Sequence, residues 1–209
     1  MGNCADKSNQ DNNTEFNQMI PPHPSFNKPA IEMLTKDSSM NHRSLRVNPN
    51  SVYQGELKEH KANGNGKFVT PEYEYEGEWI NGRPNGNGKI VYTNGTVYEG
   101  QFINGQPDGK GCFTTNDDFR YEGDFHNGKF YGEGEAIWPD GSSYKGSFKM
   151  GLFHGDAEYK WADGRIFKGS YKSGVKDGKG IIILSGGQEF EGNWMAGELV
   201  GDKIVKPRN

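Results

Sequence analysis

A single frame recurs seven times along this chain, and it leaves few folds open. Counting an aromatic residue as position 1, the frame starts at Tyr53, Tyr75, Tyr98, Tyr121, Tyr144, Phe167 and Phe190, with one interval of 22 residues and then five of 23. Position 3 is glycine in every copy, from Gly55 to Gly192, and so is position 12, from Gly64 to Gly201. Position 5 is always large and apolar: Leu57, Trp79, Phe102, Phe125, Phe148, Tyr171 and Trp194. A period held that long marks a repeat array, in which each unit buries its apolar face only against its neighbours.

Within the frame the alternation has period 2. Tyr98, Gly100 and Phe102 alternate with Glu99 and Gln101, which predicts a strand with one face buried and one wet. Positions 7–11 carry turn chemistry, as in Asn81-Gly82, Asn104-Gly105 and Asn127-Gly128, with Pro84 and Pro107 two residues on. A second alternating stretch follows, and a second turn closes the unit, as in Asn94-Gly95, Asp140-Gly141 and Asp163-Gly164. Each unit therefore reads as one β-hairpin, and successive hairpins as one antiparallel sheet. The fold class is all-β: an elongated, single-layer hairpin solenoid of about seven units over residues 53–209. Only 32% of the chain is hydrophobic, and 31 residues are glycine, so burial has to come from a few large rings. Glycine within a strand costs roughly 0.5–1 kcal/mol relative to alanine. The expectation is that glycines at 3, 12 and 14 leave main chain bare beneath rings such as Tyr75, Trp79, Tyr98, Phe102, Tyr121, Phe125, Tyr144 and Phe148. Burying one such ring is worth about 2–3 kcal/mol, more than the glycine costs.

Residues 1–52 are rich in Asn, Ser, Asp and Lys and read as an extended, mostly irregular tail without a core of its own. A short helix is expected over residues 29–36, docked on a partner or on the array. Gly2, following Met1, suits N-myristoylation, and Cys4 suits palmitoylation, so the two together would make a lipid anchor; the alternative is an unmodified, flexible terminus. Asp6 stands where that motif prefers Ser or Thr. The first 30 residues show no apolar signal region, and no apolar run is long enough for a spanning helix. Two cysteines, Cys4 and Cys112, fit a reducing compartment.

The run Tyr75-Glu76-Gly77-Glu78-Trp79-Ile80-Asn81-Gly82-Arg83-Pro84-Asn85-Gly86-Asn87-Gly88 resembles the MORN repeat (membrane occupation and recognition nexus), and the likeness extends from residue 53 to about 205. His60, Ala157 and Lys203 depart from the pattern, and the first unit is one residue short. The resemblance implies an elongated, twisted sheet used as a scaffold. Such repeats occur in radial spoke heads of cilia, in cytoskeletal and membrane-contact proteins, and fused to lipid kinases and methyltransferases.

No catalytic, metal or cofactor site is expected. Gly105–Lys110 has three residues between its glycines where a phosphate loop has four, and Gly111 follows where Ser or Thr belongs. The five histidines share no ligand spacing, and Cys112 has no base or orienting group in sequence. Carboxylates at positions 2 and 4, such as Glu76, Glu78, Glu99 and Glu122, read as a solvated acidic face that also discourages aggregation. Charge is uneven: residues 53–143 carry a net −7 and residues 144–184 a net +4. Lys145, Lys149, Lys168 and Lys172 repeat at positions 2 and 6 and predict one basic outer face, which solubility alone accounts for and for which an acidic partner or anionic lipid are the alternatives. The net charge of −4 argues against nucleic acid. The expected role is a non-enzymatic scaffold binding other proteins in a cytoplasmic, cytoskeletal assembly, a ciliary or axonemal one first. Its rival is a membrane-tethering module on the cytosolic face of a membrane. Neither takes a small-molecule substrate or a cofactor.

Overall fold

Residues 44–205 are described in the computed structural model of the chain. They form fifteen strands in one antiparallel sheet whose order follows the chain without a crossover. The first half comprises β1 (Ser44–Asn48), β2 (Ser51–Lys58), β3 (Lys61–Val69), β4 (Tyr73–Ile80), β5 (Arg83–Tyr92), β6 (Val97–Ile103), β7 (Gln106–Thr114) and β8 (Arg120–His126). The second comprises β9 (Lys129–Ile137), β10 (Ser143–Lys149), β11 (Leu152–Lys160), β12 (Ile166–Lys172), β13 (Val175–Ile183), β14 (Glu189–Met195) and β15 (Glu198–Val205). The described residues contain no helix. Each repeat is one hairpin, as the frame predicts, and β1 places the start of the sheet ahead of the first unit. The predicted helix at 29–36 and the acylation sites Gly2 and Cys4 lie outside the described residues.

The core is a chain of rings on one face. Tyr75 meets Trp79 of its own strand edge-on at 5.0 Å and Phe102 of the next hairpin at 5.1 Å. Tyr98 repeats this with Phe102 and Phe125, Tyr121 with Phe125 and Phe148, and Tyr144 with Phe148 and Tyr171. The series runs unbroken from Tyr53 to Trp194, and each edge-to-face pair adds about 0.5–1.5 kcal/mol beyond its buried area.

The glycine floor is real, but only part of it lies under rings. A Cβ on Gly88 would sit 2.3 Å from the Tyr75 hydroxyl oxygen, and one on Gly111 would sit 2.5 Å from the Tyr98 ring. Positions 3 and 14 are therefore kept bare so that Tyr at position 1 can lie across them. Position 12 serves another purpose, which corrects the expectation above. Gly86 takes φ +97°, and its Cβ would meet the Glu78 carboxylate, which belongs to the opposite face. The reason is a register slip inside each hairpin. From Gly77 to Trp79 strand β4 advances two residues, while its partner runs from Gly88 to Pro84, four residues. That bulge needs a left-handed residue, and glycine supplies it.

Position 10 roofs the rings. Phe130 stacks on Tyr121 at 3.7 Å and 12°, and Phe153 on Tyr144 at 3.7 Å and 3°. Pro84 and Pro107 occupy the same position and are buried on strands β5 and β7, so they are core residues and not part of the turn. The turn itself is the pair before them. Asn81 at φ 50° and Gly82 at φ 79° are both left-handed, as a two-residue type I′ hairpin requires. Gly82 N–H then donates to Ala62 of the previous unit, and Gly105 N–H to Pro84, which stitches the turns together.

Candidate functional site: the outer face

With the rings consumed by the core, the opposite face is what the sheet offers to a partner. Tyr75, Trp79, Tyr98, Phe102, Tyr121, Phe125, Tyr144 and Phe148 are all buried, at most 5% exposed, and none is available for recognition.

Each tyrosine at position 1 uses its hydroxyl internally. Tyr53, Tyr75, Tyr98, Tyr121 and Tyr144 donate to the carbonyls of Glu56, Glu78, Gln101, Asp124 and Ser147, each at position 4. Those carbonyls sit at the register slip, where the ladder partner is lost, so the phenol satisfies what the bulge orphans. Burial pushes the phenols up: Tyr53 to about 12, with the Glu56 carboxylate adding to the effect, and Tyr75, Tyr98, Tyr121 and Tyr144 further.

Position 4 side chains work on the outer face. Glu56 accepts from Asn65 N–H at 3.0 Å, Glu78 from Asn87 N–H at 2.7 Å, and Gln101 from Lys110 N–H at 2.9 Å. They lie over the position 12 glycines and cap the bulge, which sequence reasoning missed by reading them as a solvated face. The signal was present: an acceptor at position 4 accompanies glycine at position 12 in all seven units.

Position 2 and position 15 form a second row, and the register carries it across the whole sheet. From β3 to β6 it reads Lys67, Glu76, Lys89, Glu99, each the cross-strand partner of the next. From β9 to β12 it reads Glu135, Lys145, Glu158, Lys168. Opposite charges face each other in both stretches, which favours the pairing. Lys89 reaches Glu99 at 3.1 Å and Lys168 reaches Glu158 at 2.9 Å. Between the stretches the alternation fails. Cys112 stands on β7 with Glu99 on one side and Glu122 on the other, and Glu122 then pairs directly with Glu135.

The four lysines read as one basic patch are all exposed, but the register divides them. Lys145 and Lys168 sit in the charge row and are ion-paired to Glu135 and Glu158. Lys149 and Lys172 stand beside the turns, paired across the ladder with Leu152 and Val175.

Positions 3 and 14 turn toward the ring face, so between the charge row and the position 13 side chains the outer face presents only main chain. A trough of about 1230 Å³ runs from Glu76 on β4 to Lys145 on β10. Glycines including Gly100, Gly111, Gly123 and Gly134 floor it, and the charge row and the position 13 side chains wall it. Among the described residues, no group of His, Cys, Asp and Glu is placed to hold a metal. No described helix is long and apolar enough to cross a membrane.

A hairpin array with a Tyr-x-Gly floor and a capped bulge is a defined class of repeat sheet. The MORN repeat model matches residues 53–73, 75–97, 98–118, 121–143, 144–164 and 167–188, and the chain belongs to the MORN repeat family. The seventh unit, β14 and β15, completes the array in the structure. No curated protein matches the chain. Solved structures similar to it include the TCP domain of SAS-4 (dCPAP) of Drosophila melanogaster in complex with a proline-rich motif of Ana2 (dSTIL). That match has 13% identity over 71% of this chain and 87% of that one, at a TM-score of 0.37. The TCP10 domain of Danio rerio CPAP in complex with a STIL peptide matches at 16% identity over 69% and 71%, at a TM-score of 0.29.

Proposed function

We propose that this chain is a non-catalytic scaffold that binds other proteins in a cytoskeletal assembly, with the cilium and its axoneme as the setting. The observation that carries the scaffold reading is the uninterrupted fifteen-stranded sheet, whose rings are spent inward and whose charged row faces outward over its length. Membership of the MORN repeat family supports a protein-interaction module. The ciliary setting rests on where such repeats occur. The test is fractionation of native ciliated cells followed by detergent extraction of the isolated axonemes. Retention in the extracted axoneme together with copurifying structural proteins is expected, and absence from cilia would refute the setting.

The rival reading is a peripheral membrane tether that uses acyl groups at Gly2 and Cys4. The exposed pair Lys149 and Lys172 favours it, while the ion pairs of Lys145 and Lys168 weaken the patch. Flotation of native protein with anionic vesicles, abolished by Gly2→Ala, would establish the tether in place of the scaffold alone.

A further inference from the structure

We propose that the trough on the outer face is the docking site for an extended, cationic segment of a protein partner, with one basic side chain seated over Cys112 between Glu99, Glu122 and Glu135. This names the partner class for the scaffold reading and rests on it.

The register locates the seat. Lys89 stands between Glu76 and Glu99, and Lys145 between Glu135 and Glu158, so the two ammoniums that border this stretch are each flanked by two carboxylates across the ladder. Cys112 occupies the equivalent place on β7, flanked by Glu99 and Glu122, and supplies no charge. Next to it Glu122 and Glu135 face each other, an arrangement that costs stability because like charges lie directly opposite. The row is thus two alternating stretches of opposite phase, joined through the uncharged Cys112 and the facing pair Glu122 and Glu135. Arg120 reaches both Glu122 and Cys112 from the flank, and Lys145 reaches Glu135 at 3.8 Å, longer than the 3.1 Å between Lys89 and Glu99. Exposed pairs of this kind hold their partners weakly, so an incoming cation can share these carboxylates.

Shape agrees with charge. The floor at this point is the main chain of Gly111, Gly123 and Gly134, positions whose Cβ would point to the ring face, so no side chain stands between the walls of the trough. The lining carries five glutamates against three lysines, a negative excess that matches a basic segment and repels an acidic one. The trough crosses seven strands, about 29 Å at ~4.8 Å per spacing, room for roughly nine extended residues at ~3.3 Å each. Recognition is along the array and not at its edge strands, so the sheet need not open.

The test is fluorescence anisotropy of a labelled peptide of alternating Gly and Arg, titrated with the full-length chain at low and at high salt. A Gly-Glu peptide of the same length is the comparison. The Arg peptide is expected to bind and the Glu peptide not to, with affinity falling as salt rises. Cys112→Lys puts an ammonium in the proposed seat, between Glu99 and Glu122; it should weaken the Arg peptide about tenfold or more while the melting temperature holds or rises. Glu122→Gln with Glu135→Gln should weaken it similarly. Glu59→Gln with Glu198→Gln, exposed carboxylates outside the trough, removes the same charge and should change affinity less than about twofold. Equal losses from the two double variants would mean diffuse charge attraction, and undiminished binding to Cys112→Lys would place the cation elsewhere; either result overturns the assignment. A chain that copurifies with axonemal proteins yet ignores the Arg peptide loses this proposal and keeps the scaffold reading.

Discussion

At the scale of one residue, the tyrosine at position 1 does two jobs that phenylalanine cannot combine. Its ring lies on bare main chain, and its hydroxyl closes a carbonyl that the register slip leaves open. Tyr98→Phe keeps the first and loses the second, so urea denaturation should show a loss of about 1 kcal/mol. Gly88→Ala attacks the first. A Cβ 2.3 Å from the Tyr75 oxygen forces the ring off its seat, at about 1–3 kcal/mol by the same measurement. The phenols also set an alkaline limit. In the unfolded chain they ionise near 10, whereas burial raises them in the sheet, Tyr53 to about 12. Above pH 10 the unfolded state therefore sheds protons first, and stability falls as pH rises toward and through the folded values. The urea midpoint should drop between pH 9 and pH 11, with phenolate absorbance rising alongside unfolding; a flat midpoint would contradict the burial argument.

At the scale of the element, the hairpin is set by two left-handed residues, and the later units fill them less well than the early ones. Asn81, Asn104 and Asn127 give way to Met150, Ser173 and Ala196, all six at φ between 47° and 55°. Asparagine tolerates that region and methionine does not, so Met150→Asn should raise the melting temperature, by up to about 1 kcal/mol of stability. The strand alternation and both turns were legible in sequence because period 2 and Asn-Gly pairs are local signals. The bulge was not. A slip of two residues depends on which residues of the partner strand stand opposite, and no single strand records that. Pro84 and Pro107 show the consequence, for proximity to Asn-Gly reads as turn chemistry while the pairing puts both in the core.

At the scale of the whole molecule, fifteen strands at ~4.8 Å make a sheet roughly 67 Å across its strands. Small-angle scattering should show an elongated particle, and a compact profile would contradict a sheet with consecutive strand order. Stability should be shared between neighbouring units, since the ring series passes from each hairpin only to the next. The charge division, a net −7 over residues 53–143 against +4 over 144–184, becomes spatial in such a sheet because chain order and spatial order coincide.

The repeat frame by itself determined the architecture: the hairpins, their number and the ring-on-glycine packing follow from one period and two local alternations. Register and pairing decided the rest. They alone place Cys112 between two carboxylates, set Glu122 against Glu135, split the four lysines into two rows and convert Glu78 from surface charge to bulge cap. The physical reason is that an aromatic–glycine alternation is written along a strand. A charge row is written across strands, between residues more than a dozen positions apart, and exists only once the sheet has formed.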